Sequence, residues 1–102
     1  MKVKVELQYF EACPNHEAMK ENLRQAVRGI ENQVELVEIR VEDAETAARV
    51  HFRGSPSLLI NGEDLEGLPA PEKASLSCRF YRGGVPSAHA IRQKINEAYM
   101  KE

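Results

Sequence analysis

In the first part of the chain, the spacing of the hydrophobic residues changes from every second position to every third or fourth position, and then back to every second position. Val3, Val5 and Leu7 alternate with charged and polar residues, which predicts a β-strand. Apolar residues then recur every three or four positions over residues 14–30, which predicts an amphipathic helix with a proline in its first turn. Residues 34–41 nearly alternate and form a second predicted strand. This order predicts parallel strands joined by a helix, and so an α/β fold.

The rest of the sequence predicts a short helix, a hairpin and a final helix. Asp43 is placed to cap the short helix, and Ser87 is placed to cap the last one. Residues 57–60 are a compact apolar run typical of a buried strand. Asn61-Gly62 is the favoured turn of a hairpin, which would return through residues 63–65. The predicted order is therefore β-α-β-α-β-β-α, with one mixed four-stranded sheet flanked by helices.

Residues 67–86 have no regular hydrophobic period and contain several glycines and prolines. We predict an extended loop inserted before the last helix, with one helical turn over residues 72–76. This loop carries Cys78, one of only two cysteines in the chain. No repeat or linker interrupts the sequence, so residues 1–102 are predicted to form a single domain.

Composition excludes several classes of partner. Fourteen basic and sixteen acidic residues leave a net charge of -2, which gives no reason to expect nucleic acid or an anionic membrane as a partner.

No apolar run is long enough to cross a bilayer, and the N-terminus lacks the apolar core of a signal peptide. We therefore expect a cytoplasmic protein. Two cysteines, 65 positions apart, are fewer than a secreted scaffold of this size usually carries.

Three short motifs resemble those of the thioredoxin-like superfamily, and glutaredoxin-type domains especially. Residues 9–16, Tyr-Phe-Glu-Ala-Cys-Pro-Asn-His, are similar to a glutaredoxin Cys-Pro-x-Cys site that follows an aromatic strand end. Residues 53–57, Arg-Gly-Ser-Pro-Ser, are similar to the loop whose cis-proline faces the active cysteine, and residues 59–63 are similar to the hairpin after it. The resemblance covers roughly residues 3–66. It implies a three-layer thioredoxin-like fold and thiol chemistry at Cys13.

The sequence departs from that pattern at two places. His16 stands where the second active-site cysteine of the family would be, so a local dithiol cannot form. The glutathione-binding features that usually follow the hairpin are not recognisable. Residues 78–81, Cys-Arg-Phe-Tyr, also resemble a segment of a short thioredoxin-like subfamily that has no settled function.

Cys13 has a functional and a structural interpretation. At the start of a helix, its thiolate would be stabilised by unpaired backbone N–H groups and by the helix dipole, which predicts a lowered pKa for Cys13. A protonated His16 would stabilise the thiolate further, and Glu17 would oppose it. His16 is accordingly a candidate thiolate partner or general acid, or else a solvated residue in the first helical turn. Alternatively, Cys13 is a small, buried and inert residue.

The remaining candidate residues lie far from Cys13 in the sequence. Cys78 could resolve a mixed disulfide formed at Cys13, or it could be a structural cysteine on a loop. Whether the two sulfurs meet depends on loop geometry. The resemblance implies that the Ser55–Pro56 bond is cis and that Ser55 and Pro56 offer a strand-like edge to a substrate. A trans proline that simply enters a strand is the alternative.

These residues support three hypotheses about function. The first is a thiol-disulfide oxidoreductase of monothiol type, with Cys13 as nucleophile and Cys78 as a possible resolving thiol, acting on protein or small-molecule thiols and disulfides. The second is a binding protein for a thiol-reactive compound or a soft metal such as zinc, copper(I) or mercury, held by Cys13, His16 and Cys78. The third is an interaction module of the same fold without redox activity. No cofactor is expected, and the oligomeric state is left open.

Overall fold

The protein is described here by a computed structural model, and the structure describes residues 2–101. Its centre is a four-stranded mixed sheet. The strands are β1 Val3–Tyr9, β2 Val34–Arg40, β3 Ser57–Ile60 and β4 Glu63–Asp64. They lie in the sheet in the order β2-β1-β3-β4. The pair β1–β2 is parallel, whereas β1–β3 and β3–β4 are antiparallel. The predicted mixed sheet is therefore confirmed.

Three α-helices and one short 3₁₀ helix connect or follow the strands. They are α1 His16–Ala26, the 3₁₀ helix Glu31–Gln33, α2 Ala44–Arg49 and α3 Ala88–Met100. Both predicted caps are confirmed: Asp43 Oδ1 accepts from the backbone N–H of Thr46 at 2.7 Å, and Ser87 Oγ accepts from that of Ala90 at 3.1 Å. Within residues 2–101, no helix combines the length and the apolar character needed to cross a bilayer.

The β3–β4 hairpin also forms as predicted. Asn61 and Gly62 both have positive φ angles, 51° and 85°, which is the backbone that the favoured two-residue turn requires. Asn61 is tied to β1 as well, because its side-chain oxygen accepts from the backbone N–H of Lys4 at 2.9 Å. The turn thereby fixes the register of β3 against β1.

Two predictions about helices are wrong. Helix α1 begins at His16 rather than at Pro14, because Asn15 adopts a left-handed conformation with φ 78° and interrupts the helix there. Cys13 instead lies in a turn, where its N–H donates to the carbonyl of Phe10 at 3.0 Å. Residues 72–76 form no helical turn, and the whole stretch 67–86 is irregular.

Two hydrophobic clusters hold the layers together. The larger one joins β1 and β3 to helices α1 and α3, and includes the fully buried Leu7 and Ile91. The smaller one consists of Val41, Ala47 and Phe52 and lies at α2. The loops that follow β1 and precede β3 and α3 are thus supported by a packed sheet and helices, and they carry the candidate site.

Candidate functional site

Cys13 and Cys78 are joined by a disulfide bond, with their Cα atoms 5.5 Å apart. Cys13 lies between β1 and α1, and Cys78 lies in the long loop before α3. The sequence left open whether these sulfurs could meet. In this structure the folded chain brings them together across 65 positions, so the candidate site contains a linked pair rather than a single thiol.

The two cysteines differ in accessibility. Cys13 is 1% exposed, whereas Cys78 belongs to the exposed part of the loop. The sequence placed a reactive thiolate of Cys13 at the tip of the first helix. In this structure Cys13 is instead buried, disulfide-bonded and three positions ahead of the first residue of α1. The alternative interpretation, in which Cys13 is a buried residue, describes its environment correctly. Its sulfur, however, forms a disulfide and is not an inert thiol.

His16, the proposed thiolate partner, is the first residue of α1. Its ring stacks on Tyr9 at the end of β1, with ring centroids 5.1 Å apart, and Nδ1 lies 3.8 Å from a carboxylate oxygen of Glu17. Its side chain is 12% exposed, so the alternative of a solvated residue is wrong. The imidazole is held between the end of β1 and the start of α1.

Ser55 and Pro56 lie immediately before β3, and the peptide bond between them is cis. The Ser55 N–H donates to the carbonyl of Ser77 at 2.9 Å, and the Arg79 N–H donates to the carbonyl of Ser55 at 2.8 Å. The backbone of Ser55 therefore pairs as the edge of a strand does. It is not open to a substrate in this structure, because the chain's own segment 77–79 pairs with it as an isolated parallel bridge.

The Ser55 side chain links this edge to the loop that carries Cys13. Ser55 Oγ accepts from the backbone N–H of Phe10 at 2.8 Å. Phe10 in turn accepts from Cys13 through its carbonyl. Hydrogen bonds thus run from the Cys13 turn through Ser55 to the segment that contains Cys78.

Gly54 allows segment 77–79 to approach the Ser55 edge. Its φ angle is +102°, and a Cβ placed on it would lie 2.9 Å from the Cβ of Arg79. That distance is too short for two carbon atoms, and the φ angle is one that residues with side chains rarely adopt. Glycine is needed here for both reasons.

Arg79 forms a buried ion pair that the sequence analysis did not predict. Its guanidinium donates to both carboxylate oxygens of Asp64, at 2.6 and 2.9 Å, and also to Ser57 Oγ at 3.1 Å. Burial alone would raise the pKa of Asp64, but the hydrogen bonds from Arg79 and from backbone N–H groups outweigh it and hold that pKa below its ordinary value. The only sign of this ion pair in the sequence is an acidic residue within a short predicted edge strand.

Tyr81 provides a further anchor for the same segment. Its hydroxyl donates to the carbonyl of Pro56 at 2.7 Å, and the Arg79 guanidinium lies over its ring, 4.7 Å from the centroid. Burial raises the pKa of Tyr81, so its hydroxyl stays protonated as a donor. Arg79 and Tyr81 thus both contact the β3–β4 region.

The structure does not assemble the soft-metal site that the sequence suggested. Within the described residues, 2–101, no group of three or more histidine, cysteine or acidic side chains is placed to hold a metal ion. Cys13 and Cys78 are bonded to each other, and His16 stacks on Tyr9. In this structure the candidate site is a disulfide.

No protein-family model matches the sequence, and no curated protein matches it. Solved structures are similar to the whole chain. A chloroplastic thioredoxin z has a TM-score of 0.66 and 15% identity, over 99% of this chain and 80% of its own. A selenoprotein W-related protein from Vibrio cholerae has a TM-score of 0.58 and 14% identity, over 97% of this chain and 99% of its own. Together with the mixed sheet, these similarities confirm the predicted fold: the chain has the thioredoxin-like fold.

Proposed function

We propose that this chain is a thiol-disulfide oxidoreductase whose redox centre is the Cys13–Cys78 pair. The observation that carries the proposal is the bond between these cysteines beside the Ser55–Pro56 loop, with one cysteine buried and the other exposed. The thioredoxin-like fold is consistent with thiol chemistry at this place, although fold alone does not assign an activity.

The difference in exposure favours a division of roles opposite to the one that the sequence suggested. A thiolate from a partner can approach the exposed Cys78, whereas the protein covers Cys13. Thiol-disulfide exchange requires the nucleophile to reach the sulfur that it attacks. We therefore assign the contact with the partner to Cys78 and the resolving role to Cys13.

In the reducing direction, the thiolate of Cys78 attacks one sulfur of a partner disulfide. The partner bond breaks, one partner sulfur leaves as a thiolate, and a mixed disulfide forms at Cys78. Cys13, as its thiolate, then attacks the Cys78 sulfur, which re-forms the internal disulfide and releases the second partner sulfur. The partner gains two electrons and two protons, and the protein loses the same. We also propose that His16, which begins α1 three positions after Cys13, takes up the proton of Cys13.

Residues around Cys78 favour a polypeptide as the partner. Leu76 and Phe80 lie two positions before and after Cys78, and both are exposed, Phe80 by 87%. A peptide that places a disulfide against Cys78 would meet these apolar side chains, whereas a small thiol would leave them in water. We therefore propose protein thiols and disulfides as the principal substrates.

We also propose a cytoplasmic location, which would be consistent with a disulfide that cycles between oxidised and reduced states. In a reducing compartment, disulfides are usually transient and serve catalysis or redox sensing. A pair with one exposed cysteine suits that use, because a reductant can reach it.

The test compares Cys13→Ser with Cys78→Ser in reactions with a disulfide-bonded test peptide. We expect Cys13→Ser to accumulate a mixed disulfide at Cys78, detectable by intact mass, because the resolving thiol is missing. Cys78→Ser should react roughly a hundredfold more slowly, because the remaining Cys13 thiol is buried. Neither variant should complete the reduction of the peptide.

Equal or faster mixed-disulfide formation by Cys78→Ser would return the nucleophilic role to Cys13. If neither variant nor the reduced wild-type protein reacts with the peptide, the chain is not an oxidoreductase of this kind. Circular dichroism of both variants serves as the control for folding.

A further inference from the structure

Segment 77–79 is held against the sheet by contacts that do not involve the disulfide. Two backbone hydrogen bonds join it to Ser55, at 2.9 and 2.8 Å. Arg79, the residue next to Cys78, donates to both oxygens of Asp64. Breaking the bond between the cysteines would leave all of these interactions chemically intact.

The Asp64–Arg79 ion pair is almost fully removed from water. The Arg79 side chain is 8% exposed, and that of Asp64 is 1% exposed. Asp64 also accepts from the backbone N–H groups of Glu66 and Leu68, at 3.0 and 3.1 Å, which fixes its carboxylate independently of Arg79. If Arg79 left, the carboxylate would stay buried without its cation, which is strongly unfavourable. Asp64 therefore retains Arg79, and with it the adjacent Cys78.

We propose that Asp64 is a positioning residue that, through Arg79, keeps Cys78 beside Cys13 when the disulfide is reduced. An effect of Asp64 on catalytic turnover rests on the proposed function. The position of segment 77–79 in the reduced protein does not depend on that function. Cys13 and Cys78 are 65 positions apart and would otherwise have to find each other through a flexible loop. With the ion pair in place, the resolving attack starts from thiols that are already oriented.

The kinetic test uses glutathione disulfide as the oxidant of the reduced protein. The thiolate of Cys78 attacks it, releases one glutathione and becomes a mixed disulfide. Cys13 then attacks the Cys78 sulfur and releases the second glutathione. In total the protein loses two electrons and two protons, and one glutathione disulfide becomes two glutathione molecules. The lifetime of the mixed disulfide, followed by acid quenching and intact mass, reports the resolving step.

Asp64→Asn should lengthen this lifetime by roughly tenfold or more, because Cys78 is no longer held in place. The matched control is Glu63→Gln, which removes the same charge from the neighbouring exposed position of β4. Its lifetime should stay within about twofold of the wild type, as expected for a surface carboxylate. An unchanged lifetime in Asp64→Asn would overturn the proposal.

Hydrogen exchange on the reduced wild-type protein tests the placement without any turnover. The amides of Ser55 and Arg79 should remain protected after reduction, and both should lose protection in Asp64→Asn. Loss of protection in the reduced wild type would overturn the proposal, even if the protein catalyses exchange. Conversely, retained protection in a protein that never forms the mixed disulfide would preserve the role of Asp64 and remove only the proposed function.

Arg79→Lys is a second variant that tests the proposal if Asp64→Asn does not fold. Arg79→Lys keeps the positive charge but cannot donate to both oxygens of Asp64 in the planar geometry of a guanidinium. We expect a mixed-disulfide lifetime between those of the wild type and Asp64→Asn. A lifetime equal to that of the wild type, with unprotected Ser55 and Arg79 amides in the reduced protein, would contradict the proposal.

Discussion

Replacement of Cys78 by serine is expected to lower the free energy of unfolding of the oxidised protein by about 4 kcal/mol. The disulfide closes a loop between residues 65 positions apart, and a crosslink of that span strongly restricts the unfolded chain. Cys78 is the better cysteine to change because it is exposed, so serine at this position adds no buried polar group. Urea unfolding at neutral pH without reductant measures the difference.

The same comparison in dithiothreitol is the control for this prediction. Reduction removes the crosslink from the wild-type protein as well, so the two unfolding curves should nearly coincide. If the free energies of unfolding of the two proteins still differ by several kcal/mol in reductant, the serine destabilises the folded state itself, and loss of the crosslink is not the cause. No difference without reductant would show that the crosslink is not formed in solution.

The second large effect is expected for Phe52→Ala, with a loss of about 3–5 kcal/mol in the free energy of unfolding. Phe52 is 1% exposed and is the largest member of the small cluster at α2. Ala74 of the long loop packs against the same cluster, so the cavity would weaken both α2 and the loop that carries Cys78. Chemical unfolding of both proteins under reducing conditions isolates the packing effect from the disulfide.

Phe80→Ala provides the matched control for this packing prediction. It removes the same side chain from a position that is 87% exposed, so the free energy of unfolding should change by no more than about 0.5 kcal/mol. Similar losses in the two variants would mean that the Phe80 side chain is packed in solution, which would contradict its exposed position in the structure.

The parts of the fold that were predicted correctly are those fixed by neighbouring residues. Asp43 and Ser87 cap helices through hydrogen bonds to N–H groups only three positions away. The Asn61-Gly62 turn depends on the φ angles of two adjacent residues. Alternation along β1 likewise follows from which side of one strand is buried. Such features can be recognised in a single sequence because each is determined locally.

The features that the sequence did not predict depend on contacts between distant parts of the chain. Residues 77–79 have little local preference for a strand, and they become extended because they pair with Ser55. In the sequence, Asp64 looks like an ordinary acidic residue on an edge strand. In the folded chain, the long loop brings Arg79 into an ion pair with it. The start of α1 at His16 differs from the prediction for a local reason, because Asn15, a residue type that tolerates the left-handed conformation, adopts it just before the helix.

The most direct test of a Cys13–Cys78 redox pair is intact-mass analysis of the protein after exposure to glutathione disulfide and then to reduced dithiothreitol. The oxidised protein should be about 2 Da lighter than the reduced one, digestion should yield a single linked peptide pair containing Cys13 and Cys78, and reduction should restore the higher mass. A folded protein that keeps both thiols free in the oxidant, or that forms only disulfides between separate chains, would contradict the account.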